Sequence, residues 1–225
     1  MDMEFIQKII LVLVPMLLCL SVHEYAHALS AWWLGDDTAS RQGRMTLNPL
    51  PHIDIFGTLL LPILFVVSNS SFFFGWAKPV PVNPVRFTRH LNGKRVTMTT
   101  GMMITAAAGP ASNIIFGFMS ALLLKVSVSM GISDGPIFTL LLRLLQINYI
   151  LAIFNLLPLP PLDGSKVLAG ILPRNLAQHL DYLERNTFVA FIILIALLQT
   201  GVLSMVIGPV FGWLLNITLT VVGLH

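Results

Sequence analysis

Three ionisable side chains lie close together in an otherwise apolar stretch: His23, Glu24 and His27, in the pattern H-E-x-x-H. On an α-helix, positions i and i+4 share a face, so both imidazoles could reach one metal ion. Glu24 would lie beside that ion, where a carboxylate can take a proton from a zinc-activated water. The pattern therefore predicts a zinc-dependent hydrolase, with His23 and His27 as ligands and Glu24 as the catalytic base.

Two simpler interpretations of these residues compete with metal binding. They could be polar residues at a membrane interface, or the stretch could be a cleavable secretory signal that ends near the triplet AHA at 26–28. A signal fits poorly because Asp2 and Glu4 outweigh Lys8 ahead of the apolar run. A charge within a membrane span costs at least ~2.5–3.5 kcal/mol, so three ionisable groups there indicate a shared purpose, and metal binding supplies one.

Two histidines do not complete a catalytic zinc site, which uses about three protein ligands and a water. The best third candidate is Asp163, in the segment NLLPLPPLDG at 155–164, where three prolines end one helix just before the carboxylate. Asp163 could instead cap the helix that follows. Other possible ligands lie in loops: His52, Asp54, His90 and His179. His52 and Asp54 are the strongest of these competitors.

The elements that must position these residues are long apolar segments. Of the 225 residues, 56% are hydrophobic and only 10% are charged, whereas an ordinary soluble domain has about 25% charged residues. We expect an all-α polytopic membrane protein with about five to six transmembrane helices, in one membrane-embedded domain. That domain covers 1–225, with a core over 5–170 and C-terminal helices over 188–224. Helices are predicted over 5–34, 101–124 and 137–157, while 188–224 could be one bent span or two short ones.

Three motifs together resemble those of the site-2 proteases, which are intramembrane zinc metalloproteases. They are HEYAH at 23–27, AAAGPASN at 106–113 and FNLLPLPPLDG at 154–164, and they occur in the order found in that family. The resemblance covers about 5–170. It implies that His23, His27 and Asp163 bind one zinc ion and that Glu24 is the base.

The same resemblance implies that Asn113 and Asn155 lie near the substrate or the oxyanion. Each has a simpler alternative, since Asn113 could form an interhelical hydrogen bond and Asn155 could cap the end of a helix. We expect a minimal prokaryotic form without a PDZ domain, because the chain leaves no room for one.

A shared zinc site restricts the topology of the apolar segment at 56–74. If this segment crossed the membrane, His27 and Asp163 would lie on opposite faces. We therefore predict that 56–77 is re-entrant: a short helix at 59–67, a polar turn at 68–71 and an extended arm at 72–77. Both arms reach about mid-depth, where non-helical backbone needs protein or a water-filled cavity around it. The extended arm would offer an edge to a substrate strand.

The distribution of basic residues predicts the orientation. With this topology, one face carries ten of the 13 lysines and arginines, so it is cytoplasmic by the positive-inside rule. The ten are Arg41, Arg44, Lys78, Arg86, Arg89, Lys94, Arg95, Lys166, Arg174 and Arg185. The site would then lie near the cytoplasmic face of a multi-pass protein of the cell membrane. In such a protein the net charge of +3 indicates orientation and not nucleic-acid binding.

We therefore expect an intramembrane zinc metalloprotease that cleaves peptide bonds within or beside the transmembrane segments of membrane-protein substrates, in regulated intramembrane proteolysis. Its partners would be that substrate and the lipid bilayer, with no nucleic acid. A metal transporter or sensor is a second class, but a transporter needs a polar route across the bilayer and the outer halves of these segments carry few polar groups. A silent scaffold that binds helices would not need a complete set of ligands and base.

Overall fold

The computed structural model describes residues 3–68, 75–91 and 93–224, and its fold is almost entirely helical. The α-helices are α1 (Met3–Trp33), α2 (Thr38–Arg41), α3 (Leu61–Val67), α4 (Met98–Ser129), α5 (Gly135–Asn155), α6 (Asp163–Ile171), α7 (Arg174–Arg185), α8 (Thr187–Gln199) and α9 (Val202–Val222). A small antiparallel hairpin pairs β1 (His90–Leu91) with β2 (Lys94–Arg95). Single turns of 3₁₀-helix occur at Leu50–His52 and Pro84–Arg86, and a π-helical turn at Ile55–Leu60 leads into α3. The predicted all-α architecture is confirmed.

Among the described residues, four helices are long and apolar enough to cross a membrane: Ile9–Trp33, Met98–Ser129, Gly135–Asn155 and Val202–Val222. The prediction of a polytopic membrane protein is therefore confirmed. The expected number of spans was about five to six, and the difference lies in two shorter apolar helices, Ile55–Val67 and Phe188–Gln199. Each extends no more than ~20 Å, which is less than the ~30 Å hydrocarbon layer.

The centre of the molecule is formed by α1, α4 and α5, with α4 packed against both of the others. Glycines on α4 allow this close approach. A Cβ added at Gly117 would collide with the ring of Tyr149 on α5, and one added at Gly109 would collide with the ring of His27 on α1. Small residues permit such close packing between helices that lipid surrounds.

The segment that was predicted to be re-entrant returns to the place where it leaves the core. The backbone N–H of Trp76 donates to the carbonyl of Gly57 at 3.2 Å, and the hydroxyl of Thr58 donates to the carbonyl of Trp76 at 2.7 Å. The two ends of 56–77 therefore adjoin, as a re-entrant segment requires. Most of the predicted turn at 68–71 and the first part of the predicted arm at 72–77 lie outside the described residues.

Residues 75–83, which we call the strap, run beside α1 and are held by two charged side chains. The guanidinium of Arg44 donates to the carbonyl of Lys78 at 2.7 Å, and the backbone N–H of Asn83 donates to the buried carboxylate of Asp36 at 2.6 Å. These charge-assisted bonds fix the backbone of the strap at two points. They place it against the half of α1 that carries the H-E-x-x-H pattern.

The C-terminal region forms two helices and not one bent span. Helix α8 has 13 residues and α9 has 21, and Gly201 separates them with φ of +74°. That left-handed conformation is costly for most residues other than glycine. A buried cluster of leucines joins the segment between α5 and α6 to α8 and α9: Leu157, Leu162, Leu194 and Leu203. The pair α8–α9 is thereby attached beside the segment that carries Asp163.

Candidate metal centre

The second half of α1 places His23 and His27 on one face, against α4. Their Nε2 atoms are 3.0 Å apart, and the two rings meet edge to face with centroids 4.6 Å apart. A Cβ added at Gly109 of α4 would lie 2.5 Å from Nε2 of His27 and 2.7 Å from Cε1 of His23. Glycine at this position therefore lets the backbone of α4 lie directly against both imidazoles.

The third group arrives from a distant part of the chain. Oδ2 of Asp163, the first residue of α6, lies 3.1 Å from Nε2 of His23 and 3.2 Å from Nε2 of His27. Next to it, a Cβ added at Gly164 would lie 2.2 Å from the carbonyl oxygen of Leu156, so the chain turns tightly here. The side chain of Asp163 faces the histidines and does not cap α6, because the N-cap residue is Leu162 and no side chain there makes a capping hydrogen bond.

The three side chains fit one zinc ion. Their ligand atoms lie 3.0–3.2 Å from one another, and ligands ~2.0–2.2 Å from a tetrahedral ion are separated by about 3.3 Å. The exposed fractions of the three side chains are 5%, 10% and 13%, so water competes little with binding. Among the residues that the structure describes, this is the one group of three such side chains close enough to share an ion.

Hydrogen bonds at Nδ1, the ring nitrogen that points away from the site, orient both imidazoles. Nδ1 of His27 lies 2.7 Å from the carbonyl oxygen of Thr105, and Nδ1 of His23 lies 2.6 Å from Oδ1 of Asn113. Carbonyl oxygens only accept, so each Nδ1 carries a proton, and Nε2 is the nitrogen of each ring that is available to a metal. Such outer contacts set the tautomer of a histidine ligand.

The charge state of Asp163 also suits a metal ligand. Burial disfavours its carboxylate, but the hydrogen bonds from His23 and His27 outweigh burial and lower the pKa of Asp163 below its ordinary value. The nearby imidazoles act in the same direction through their charge. Asp163 is therefore a carboxylate, the form that binds a cation.

Glu24 lies next to the three ligand atoms but does not belong to their group. Its side chain is buried, and Oε2 accepts a hydrogen bond from the backbone N–H of Val80 in the strap at 2.7 Å. Pro79 and Pro81 flank Val80, and proline has no N–H, so Val80 provides the backbone donor of that tripeptide. The strap thereby fixes one oxygen of the predicted base.

A cavity of about 610 Å³ contains the site. His23, Glu24, His27 and Asp163 all line it, together with the strap, the end of α5 and part of α8. The rings of Trp76 and Phe191 meet edge to face across its wall, with centroids 5.7 Å apart.

A second cavity of about 430 Å³ adjoins the first and is lined mainly by apolar residues of α1, α5 and α9. The two share Leu20, Gly75, Leu151 and Phe154 as lining residues. An apolar space thus lies directly beside the polar site, between helices that are long enough to span a membrane.

The other candidate ligands that the structure describes lie outside the group of His23, His27 and Asp163. His52 is buried, and its Nε2 lies 2.9 Å from the carbonyl oxygen of Thr46. The carboxylate of Asp54 accepts from two backbone N–H groups of the turn that follows it. His90 lies exposed on β1, beside a different surface pocket. The side chain of His179 is outside the part of the structure that is described.

The two asparagines singled out by the family resemblance occupy different environments. Asn113 is fully buried, and its amide bonds His23, Asn148 and the carbonyl of Cys19. This geometry supports the interhelical alternative for Asn113, because both of its N–H groups are used and neither remains for an oxyanion. Asn155 lines the cavity and donates to the carbonyl of Leu151 in the preceding turn. Its contact with substrate stays a prediction.

Three groups around the site were not predicted from the sequence: the carbonyl of Thr105, the N–H of Val80 and the side chain of Asn148. Every residue has a backbone carbonyl, and every residue except proline has an N–H. The sequence therefore gave no means of predicting the contacts of Thr105 and Val80. Asn148 did carry one, since a polar residue in the middle of an apolar span is by itself a candidate functional residue.

Fold and site together define a helical membrane protein with a His-His-Asp group suited to zinc beside a buried glutamate. The model of the peptidase family M50 matches residues 126–199. YwhC of Bacillus subtilis (strain 168), named as a candidate zinc metalloprotease, is 36% identical over 186 residues, which cover 80% of this chain and 78% of that protein. The chain therefore belongs to peptidase family M50, the site-2 protease family, and is a membrane-embedded zinc metalloprotease.

More distant relatives carry the same description. Rip2 of Mycolicibacterium smegmatis, also named as a candidate zinc metalloprotease, is 30% identical over 169 residues, or 74% of this chain and 59% of that protein. Rip2 of Mycobacterium tuberculosis is 28% identical over 171 residues, or 71% of this chain and 56% of that protein. No solved structure matches the chain.

Proposed function

We propose that this protein cleaves peptide bonds within or beside transmembrane segments of other membrane proteins, in regulated intramembrane proteolysis. The observation that carries the proposal is the meeting of His23, His27 and Asp163 beside Glu24 in a cavity that adjoins an apolar space between helices. The unit responsible is a single domain over 1–225, with its core over 5–170 and C-terminal helices over 188–224.

In this proposal His23, His27 and Asp163 hold one zinc ion. When bound, zinc polarises a carbonyl and makes a water molecule acidic near neutral pH. The buried position of the three side chains and the protonated Nδ1 atoms of the histidines support this assignment. The carboxylate of Asp163 offsets part of the positive charge of the ion.

Glu24 is the proposed base. The backbone N–H of Val80 holds Oε2, and Oε1 takes a proton from the water that attacks the carbonyl carbon. As the bond between carbon and nitrogen breaks, Glu24 passes that proton to the leaving amine. Asn155, at the wall of the cavity, is a candidate for contact with the substrate.

The proposed substrate is an extended stretch of a transmembrane segment. A helical peptide bond is shielded by its own hydrogen bonds, so the segment must unwind before cleavage. The apolar cavity between α1, α5 and α9 would receive apolar side chains, and residues 75–77, the described end of the predicted arm, would pair with the unwound strand.

The proposed location is the cell membrane, with the site near its cytoplasmic face. The concentration of basic residues in the loops on the side of the site supports this orientation. In a Cys19→Ala background, a cysteine introduced at Asn48 should react with a membrane-impermeant maleimide only from the cytoplasmic side. Labelling of intact cells at this position would contradict the orientation.

The central experiment separates zinc binding from cleavage in purified protein reconstituted with a membrane-anchored test peptide. We expect Glu24→Gln to keep one zinc ion and to lose cleavage by at least about 100-fold, because only the proton acceptor is removed. Asp163→Ala should lose both zinc and cleavage. Full activity in Glu24→Gln would remove that residue from the mechanism.

Two controls complete this design. His52→Ala changes a competing ligand that lies outside the site, and it should keep its zinc. Asp134→Asn removes a carboxylate that caps no helix and should keep both zinc and cleavage. Loss of zinc in His52→Ala together with its retention in Asp163→Ala would contradict the proposed ligand set.

A further inference from the structure

Two fully buried amides join α4 and α5 directly behind His23. Nδ2 of Asn113 donates to Oδ1 of Asn148 at 2.7 Å and to the carbonyl of Cys19 at 3.1 Å. Nδ2 of Asn148 in turn donates to the carbonyl of Leu144 at 2.8 Å. Neither amide is exposed, and the three helices of the core meet around them.

The direction of these hydrogen bonds is fixed by two backbone carbonyls. The carbonyl of Leu144 can only accept, so it draws the N–H of Asn148 and turns Oδ1 of Asn148 towards Asn113. That oxygen and the carbonyl of Cys19 then draw both N–H groups of Asn113. Oδ1 of Asn113 is left to face His23, and since it only accepts, the proton must lie on Nδ1 of His23.

The two proposed histidine ligands differ in the group that accepts the hydrogen bond from the Nδ1 proton. Nδ1 of His27 meets a backbone carbonyl of α4, which cannot rotate. Nδ1 of His23 meets a side-chain amide, which could turn over and present its N–H group instead. In that flipped arrangement Nε2 of His23 would carry the proton and could not bind a metal. The tautomer of His23 therefore depends on the acceptors that orient Asn113, which are the carbonyl of Cys19 and Oδ1 of Asn148, whereas that of His27 does not.

We propose that Asn148 is a positioning residue which, through Asn113, keeps the lone pair of Nε2 of His23 directed at the zinc site. The inference rests on the proposed role of His23 as a ligand. Burial supports it: a leucine at position 148 would pack within the core without an amide to satisfy, and an amide in an apolar span has a cost that its hydrogen bonds must offset. Loss of outer hydrogen bonds of this kind typically weakens metal binding 10–100-fold.

The test measures zinc affinity by competition with a chelator in the purified full chain. Asn148→Leu should weaken binding about 10-fold, because one of the two acceptors that orient Asn113 is lost. Asn148→Asp should stay within about 3-fold of wild type, because a protonated carboxyl group can donate to Leu144 and accept from Asn113. Tyr149→Phe is the matched control, since it removes a buried hydrogen bond from the same helix without a link to His23, and it should bind zinc normally.

A second measurement observes the tautomer of His23 directly in wild-type protein. In wild-type protein with ¹⁵N-labelled histidine and bound zinc, the signal of His23, assigned with His23→Ala, should show the proton on Nδ1. A proton on Nε2 would overturn the inference, as would wild-type zinc affinity in Asn148→Leu. Wild-type affinity in His23→Ala would instead contradict the proposed ligand set, so the two failures are distinguishable.

Discussion

The central helices and the C-terminal helix α9 have similar hydropathy but differ in what their residues contact. Of the most apolar windows, 39% is buried in α1, 33% in α4 and 28% in α5, against 6% in α9. A Cβ at Gly109 of α4 would collide with both histidine rings, whereas Gly208 and Gly212 of α9 have open space around them. Glycine thus serves close packing in α4 and meets no such requirement in α9.

The central helices and α9 also differ in how many polar residues they bury. The central helices bury His23, Thr105, Asn113 and Asn148, and most of their polar atoms have partners. Among the polar residues of α9, Thr218 is the buried one, and its hydroxyl forms a hydrogen bond with that of Tyr149. Most of the exposed residues of α9 are apolar and suited to lipid. Hydropathy alone therefore does not separate a helix that builds a site from one that faces the membrane.

The largest effect is expected from Gly109→Ala. The added methyl group would displace the imidazoles of His23 and His27, because its nearest atoms would lie 2.5–2.7 Å away. We expect zinc affinity to fall at least about 10-fold and the free energy of unfolding to fall by ~1–3 kcal/mol. Chelator competition and thermal unfolding in detergent would measure both changes. Normal zinc binding would mean that α4 can move away from α1.

An intermediate effect on stability is expected from Tyr149→Phe, which lies where the central helix α5 contacts α9. The variant removes the 2.7 Å hydrogen bond between the hydroxyls of Tyr149 and Thr218, which ties α5 to α9. The free energy of unfolding should fall by about 0.5–1.5 kcal/mol, and zinc affinity should not change. A zinc affinity more than about 3-fold weaker would show that α9 is coupled to the metal site.

The smallest effect is expected from Gly212→Ala, which serves as the matched control for Gly109→Ala. Open space surrounds Gly212, and alanine favours helix over glycine by up to ~1 kcal/mol. Stability should therefore stay the same or rise slightly, with unchanged zinc binding and cleavage. A clear loss of cleavage would indicate that the exposed face of α9 contacts the substrate.

Much of this site was predictable because its signals are local. The helical spacing of His23 and His27 placed both imidazoles on one face before any fold was known, and the prolines before Asp163 marked the end of a helix. The requirement that these residues meet also predicted the re-entrant path of 56–77, and Gly57 and Trp76 do adjoin. The hydrogen-bond partners of Asn113 were not predictable, because the family resemblance carried no information on where its amide points.

The sequence by itself determined the class of protein and the central helices, and it put forward the three proposed ligands, because hydropathy and helical periodicity act over a few residues. Only the tertiary structure decided which of the competing residues lie apart from the site. It also decided that the N–H of Val80 binds Glu24 and that Asn148 binds Asn113, the partner of His23. The contact between Val80 and Glu24 joins residues 56 positions apart, and the contact between Asn148 and Asn113 joins residues 35 positions apart. Their geometry follows from how closely α4 packs between α1 and α5, which no local pattern specifies.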